Sequence, residues 1–146
     1  MRRRGVVGAT MVTSTVLSDP VRVVLVGFAI FQIKHFICDY VLQTAWQYQN
    51  KGKYGHPGGL FHAAVHVVGT SFVFLLIPPT AALAAAILIG EFIVHYHIDF
   101  TKEQITRRAK WTLTDAGYWW TLGADQMLHH LTYVAILAVL IGGLAR

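Results

Sequence analysis

Charge and cysteine are both scarce in this sequence. Asp, Glu, Lys and Arg make up 13% of the 146 residues, about half of the roughly 25% that soluble domains carry. The one cysteine, Cys38, excludes an intrachain disulfide framework and a cysteine-rich zinc site. The basic residues form no stripe interleaved with aromatic residues, and we therefore expect no nucleic-acid partner.

Long apolar runs take the place of charge, because 55% of the residues are hydrophobic. Four runs are long enough to cross a bilayer as helices. They predict helices over residues 20–47, 59–77, 81–108 and 115–144, separated by polar or proline-containing breaks. The predicted fold class is therefore all-α, an integral membrane four-helix antiparallel bundle.

The bundle is expected to be a single transmembrane domain over residues 20–146. Residues 1–19 begin with three arginines near the N-terminus and continue into a short apolar stretch that several threonines interrupt. This stretch has no clear cleavage site for a signal peptide. We interpret it as a peripheral or disordered tail.

Ionisable residues interrupt the apolar runs in pairs whose members are spaced four apart. On a helix of about 3.6 residues per turn, this spacing puts both members on one face. A carboxylate or imidazole that faces lipid alone is costly, so these side chains are expected to point into the bundle. The pairs are His35 and Asp39, His62 and His66, His95 and Asp99, and Asp125 and His129.

All four pairs fall at one level of such a bundle, in one half of the membrane thickness. Histidines and carboxylates that point inward from four helices are how helix bundles build metal sites. With only nitrogen and oxygen donors, the site favours one or two divalent ions of Zn, Mn or Fe. The eight paired residues are the predicted ligands, although His62, near a loop, is equally compatible with a solvated interfacial position. A metal-free polar network and a proton or ion path are the alternatives.

Two further residues are candidates for catalysis. Glu91, one turn deeper than His95, is predicted to be a general base or a partner that orients a ligand. Lys102, one turn beyond Asp99, would hold an anionic group of a substrate, unless it is an ordinary interfacial lysine. Three other histidines lie off the polar faces and are interpreted as packing or interfacial residues: His56, His97 and His130.

The combined pattern resembles a family of small bacterial and phage integral membrane proteins of unknown function. The resemblance covers about residues 28–140 and rests on four motifs, His35-x-x-x-Asp39-x-x-Leu42-Gln43, His62-x-x-x-His66, His95-x-x-x-Asp99-x-x-Lys102 and Asp125-Gln126-x-x-His129. It implies a four-helix membrane protein with a polar site and supplies no activity. A looser resemblance to small membrane-bound metal-dependent hydrolases suggests hydrolysis by analogy only.

The leading hypothesis is a membrane-embedded metal-binding protein. If it is an enzyme, it is a metal-dependent hydrolase of a lipid-borne or amphipathic substrate. Basic residues in the loops at the polar end place that end at the cytoplasmic face of a bacterial inner membrane. The alternative is a non-catalytic accessory subunit that binds a pigment, haem or quinone, or is purely structural. Besides the bilayer, the candidate partners are other membrane protein subunits and further copies of the chain.

Overall fold

Helices account for most of residues 20–144, the range that a computed structural model of the chain describes. The predicted N-terminal tail lies outside this range. The helices are α1 (Pro20–Phe36), α2 (Ala45–Asn50), α3 (Pro57–Ser71), α4 (Ala81–Ala109) and α5 (Ala116–Leu144). A π-helical turn, Ile37–Val41, extends α1, and a 3-10 turn, Phe72–Leu75, extends α3. The described residues contain no strand.

The four long helices pack into a closed bundle. Helix α1 contacts both α3 and α5, α4 packs between α3 and α5, and the short α2 lies against α3. Four stretches are long and apolar enough to cross a membrane, Val21–Val41, Pro57–Leu75, Ala81–Ala109 and Ala116–Gly143. The structure therefore confirms the predicted fold class.

The prediction that the first helix runs to residue 47 was wrong. The helix widens into the π-helical turn, in which the Leu42 amide donates to the Ile37 carbonyl at 2.8 Å. Thr44 then starts α2 through a capping box with Gln47. The apolar pattern continues across this break, which is why hydropathy alone did not reveal it. The π-helical turn also carries Asp39, and such turns are frequent at functional sites.

A short connection, residues 76–80, joins the 3-10 turn after α3 to α4. Thr80 caps α4, because its hydroxyl accepts a hydrogen bond from the Leu83 amide at 3.3 Å. Helix α4 ends at Lys110, whose φ of 57° is left-handed and closes the last turn. The short connection makes α3 and α4 antiparallel neighbours and brings their polar faces together.

The apolar core fills the half of the bundle that the polar pairs leave free. Tyr133 stacks on Phe31 with ring centroids 4.8 Å apart, and both side chains are buried. The buried core comprises Phe31, Val73, Ile77, Ile87, Tyr133, Ile136, Leu137 and Leu140. The hydroxyl of Tyr133 marks the boundary, since it contacts the polar cluster.

Candidate metal centre

The four long helical segments bring all eight predicted ligands into one buried cluster. Each helical segment contributes one pair, as the i, i+4 spacing predicted. Seven of the eight residues are at most 6% exposed, and the Asp39 side chain is 10% exposed. Burial of this many ionisable groups requires that they be paired with one another, with other protein groups or with a cation.

The first of two ligand groups is built around Asp39. The Oδ1 atom of Asp39 lies 3.1 Å from both His62 Nε2 and His66 Nε2. With a ring nitrogen of His95, the four ligand atoms all lie within 4.8 Å of one another. Ligand atoms of one tetrahedral zinc ion, each about 2.0–2.1 Å from the metal, are roughly 3.3–3.4 Å apart. Two of the separations in this group, at 3.1 Å, are close to that spacing, so the group could hold a metal ion.

The second group is built around Asp99 and includes His95 and His129. Asp99 Oδ1 lies 3.6 Å from His129 Nε2, while its Oδ2 lies 3.4 Å from His62 Nε2 in the first group. The carboxylate of Asp99 thus lies between the two groups. Asp125 Oδ1 is also 3.6 Å from His129 Nε2, so it is close enough to join this second group.

Several buried nitrogen and oxygen atoms of the cluster meet no partner in hydrogen-bonding geometry among the described residues: both ring nitrogens of His62 and of His95, His129 Nε2 and Asp125 Oδ1. His62 Nε2 nevertheless lies at ion-pair distance from Asp39, 3.1 Å from its Oδ1. A buried polar group without a partner costs about 1–3 kcal/mol. One ring nitrogen of each histidine and one carboxylate oxygen in each group could face a common cation, and the nitrogen and oxygen donors suit Zn, Mn or Fe.

His35 lies in the cluster but belongs to neither group of mutually close ligand atoms. Its Nε2 is 2.9 Å from the amide oxygen of Gln126 and 3.2 Å from Asp39 Oδ2. Its Nδ1 is 3.0 Å from the Tyr133 hydroxyl. Both ring nitrogens are thus engaged by protein groups, and ligation by His35 stays a prediction.

Glu91 forms a separate buried cluster one turn deeper. Its Oε1 accepts hydrogen bonds from Lys34 Nζ at 2.7 Å and from the Thr70 hydroxyl at 2.8 Å. Its Oε2 has no hydrogen-bond partner among the described residues. Lys34 also donates to the Tyr133 hydroxyl at 3.2 Å, which links this cluster to the metal groups.

Lys102 lies at the edge of a groove of about 420 Å³ between α4 and α5. Its ammonium pairs with Glu103 at 2.9 Å. Asp125 lines the same groove, whose other walls are mostly apolar. The groove therefore joins an apolar surface to a carboxylate of the second ligand group, and the predicted role of Lys102 stays a prediction.

Three buried residues without a predicted role complete the polar network: Lys34, Lys51 and Tyr133. Two of these residues could have been recognised from the sequence. Lys34 is a lysine inside an apolar span, which requires a partner, and Tyr133 continues the four-residue spacing of Asp125 and His129. Lys51 gave no such signal, because it follows α2 in the loop, yet its ammonium lies 3.1 Å from Asp99 Oδ2.

The three histidines interpreted as packing or interfacial residues lie outside both ligand groups. His56 caps α3 by accepting a hydrogen bond from the Gly58 amide at 3.0 Å. His97 is exposed and bonds to the Ile93 carbonyl at 2.7 Å. The His130 ring is half-buried, with its centroid 5.1 Å from that of His35.

A family of proteins matches most of the chain. The family described as "Protein of unknown function (DUF3307)" matches residues 27–144, which contain all eight paired residues. The chain belongs to this family. The predicted resemblance to a family of unknown function is thereby confirmed, with nearly the predicted boundaries. No curated protein and no solved structure matches the chain, so the site itself has to carry any argument about function.

Proposed function

We propose that this protein binds two divalent metal ions inside the membrane and uses them for hydrolysis. The observation that carries the proposal is the approach of His62 Nε2 and His66 Nε2 to the same carboxylate oxygen of Asp39, each at 3.1 Å. Asp39, His62, His66 and His95 would hold the first ion, and Asp99, Asp125 and His129 would hold the second. The Asp99 carboxylate lies between the two groups and could serve both ions. His35, the eighth residue of the predicted set, would orient Asp39, since its Nε2 lies 3.2 Å from Asp39 Oδ2.

The proposed reaction is cleavage of an ester or phosphoester bond in a lipid-borne or amphipathic substrate. A bound divalent ion lowers the pKa of a coordinated water and polarises the bond under attack. The apolar groove beside Asp125 gives such a substrate a path from the bilayer to the cluster. Lys102, at the groove edge, would bind an anionic group of the substrate, and Glu91 Oε2 would accept a proton.

The setting of the proposal is one transmembrane domain over residues 20–146 in a bacterial inner membrane. The polar cluster lies toward the end that carries Lys51 and Lys53 in the loop after α2 and Arg107 in the last turn of α4. An excess of short-loop basic residues marks the cytoplasmic side. The substrate would therefore be reached from the cytoplasmic leaflet.

The test begins with metal content. Protein purified in detergent without chelators is expected to contain close to two Zn, Mn or Fe ions per chain by elemental analysis. Asp39→Asn and His66→Ala should lose the first ion, and His129→Ala the second. The exposed His97→Ala is the matched control and should keep both. Wild-type protein that carries no such metal, even after Zn²⁺ is added, would contradict the proposal.

Hydrolysis is tested separately on metal-loaded protein in liposomes that contain phospholipids and other phosphate- or ester-linked amphiphiles. Release of a water-soluble product should depend on the metal and fall in Asp125→Asn. Glu91→Gln and Lys102→Met should lower turnover while leaving metal content near two ions per chain. Full metal occupancy without turnover on any amphiphile would refute the enzymatic part alone and leave a metal-binding membrane protein.

A further inference from the structure

We infer that Gln126, His35 and Tyr133 form a hydrogen-bond relay that fixes the protonation of His66, so that its Nε2 is free to bind a cation. The relay is a set of positioning residues rather than ligands. The inference rests on the metal site proposed above but not on hydrolysis. It follows from which atoms can donate and which can only accept.

The orientation of the Gln126 amide is the first step. Its nitrogen lies 3.3 Å from Asp39 Oδ2 and 3.1 Å from Asp125 Oδ2. Ionised carboxylates only accept hydrogen bonds, so the amide nitrogen has to face them. The amide oxygen of Gln126 then faces His35 Nε2 at 2.9 Å. Because that oxygen only accepts, His35 Nε2 carries a hydrogen.

The second step sets the direction of the Tyr133 hydroxyl. The relay takes His35 as a neutral imidazole, in which only one nitrogen is protonated. His35 Nδ1 is then an acceptor, and the Tyr133 hydroxyl donates to it at 3.0 Å. Lys34 has no acceptor capacity, and its ammonium therefore donates to the Tyr133 oxygen at 3.2 Å. The single hydroxyl hydrogen of Tyr133 is donated to His35 Nδ1, so the Tyr133 oxygen can only accept hydrogen bonds from other groups.

The third step gives the protonation of His66, a proposed metal ligand. His66 Nδ1 lies 3.4 Å from the Tyr133 oxygen, which can only accept there, so His66 Nδ1 carries the hydrogen. His66 Nε2 is then left with a lone pair that points at Asp39 Oδ1, 3.1 Å away. Two acceptors at this distance repel unless a cation lies between them. Metal-binding histidines commonly have their second nitrogen fixed in this way.

The rival arrangement differs at one proton. If His35 were protonated on both nitrogens, Tyr133 would accept from it and turn its hydrogen toward His66 Nδ1. His66 Nε2 would then carry a hydrogen and donate to Asp39, and no metal would be required. The two arrangements therefore predict opposite protonation of the same His66 atoms.

Nitrogen NMR of the full-length protein in micelles distinguishes these arrangements. The protein is labelled with ¹⁵N-histidine and studied with Zn²⁺ and with chelator. With Zn²⁺, His66 should show a protonated Nδ1 and a metal-bound Nε2, and His35 a protonated Nε2 and a bare Nδ1. His35 should keep this state in chelator. Protonation of both His35 nitrogens in either sample would overturn the relay.

Tyr133→Phe removes only the hydroxyl oxygen that contacts His35, His66 and Lys34. Zn²⁺ affinity should fall roughly 10- to 100-fold, the range seen when such outer partners are removed, and His66 should become a mixture of tautomers. Gln126→Met should release His35 Nε2 and mix the His35 tautomers. Tyr96→Phe is the matched control, since Tyr96 is 5% exposed and its hydroxyl bonds to the Gly55 amide instead. Unchanged affinity and unchanged His66 signals in Tyr133→Phe would overturn the relay.

The readouts separate this inference from the proposed function. Protein that binds Zn²⁺ with the stated His66 protonation but hydrolyses nothing supports the relay and contradicts the enzyme. Protein that binds no Zn²⁺ and holds His66 with a protonated Nε2 contradicts both the metal site and the relay.

Discussion

The buried pair of Lys34 and Glu91 offers a direct measurement of how the polar network contributes to stability. Their charged atoms are 2.7 Å apart, with side-chain exposures of 5% and 0%. Lys34→Met removes the ammonium and leaves the Glu91 carboxylate buried with the Thr70 hydroxyl as its partner. Removing one member of a buried pair costs about 3–5 kcal/mol, because the other charge is left uncompensated.

The double variant Lys34→Met/Glu91→Gln tests this explanation. It removes both charges and keeps an amide that can bond to Thr70. We expect it to be more stable than Lys34→Met alone, since replacing a whole buried pair is often close to neutral. The difference from the sum of the two single variants then gives the coupling between the two residues.

The assay is reversible unfolding in mixed detergent micelles, followed by circular dichroism, for the wild type, both single variants and the double variant. Lys53→Met is the matched control, because Lys53 is exposed and its ammonium donates to the Asn50 side chain at 2.8 Å, away from the polar cluster. It should change the free energy of unfolding by no more than about 0.5 kcal/mol. A Lys34→Met cost below about 1 kcal/mol, or a double variant as unstable as the sum of the singles, would refute the reasoning.

Three further substitutions test the surroundings of individual residues. Gly69→Ala should destabilise the bundle by about 1–3 kcal/mol, because its Cβ would lie 2.7 Å from Lys34 Cγ. Gly90→Ala faces open space and should stabilise by up to about 1 kcal/mol through helix propensity; equal effects at the two glycines in thermal unfolding would contradict this. Lys51→Met should tighten Zn²⁺ binding in a competition titration, because a cation 3.1 Å from Asp99 Oδ2 is removed. Weaker binding would show instead that Lys51 supports the site.

The spacing of ionisable residues predicted most of the candidate site. A charge inside an apolar helix has to find a partner, so four pairs at one level could only meet inside the bundle. The same four-residue spacing could have identified Tyr133, which lies four residues beyond His129. It was missed because a tyrosine carries no charge and reads as an ordinary core residue.

The spacing of residues could not predict that Lys51 contacts Asp99, and it could not predict where α1 ends. Helical periodicity says nothing about where a loop side chain will lie, and Lys51 reaches Asp99 only because α2 packs on α3. The π-helical turn at Asp39 likewise leaves the hydropathy pattern unchanged. Its position depends on the capping box at Thr44 and on the contacts that α1 makes with its neighbours.

The sequence by itself determined the class of protein, the number of spans and the level of the polar residues. Long apolar runs predict membrane spans, and lone charges are excluded from lipid. Both features can be recognised from the order of residues along the chain. Only the tertiary structure decided which partners each of these polar side chains contacts. Whether a histidine faces a carboxylate, an amide oxygen or a hydroxyl depends on distances of a few tenths of an ångström between helices. His35 and His66, for example, both contact Asp39 and Tyr133, and His35 additionally meets the amide oxygen of Gln126.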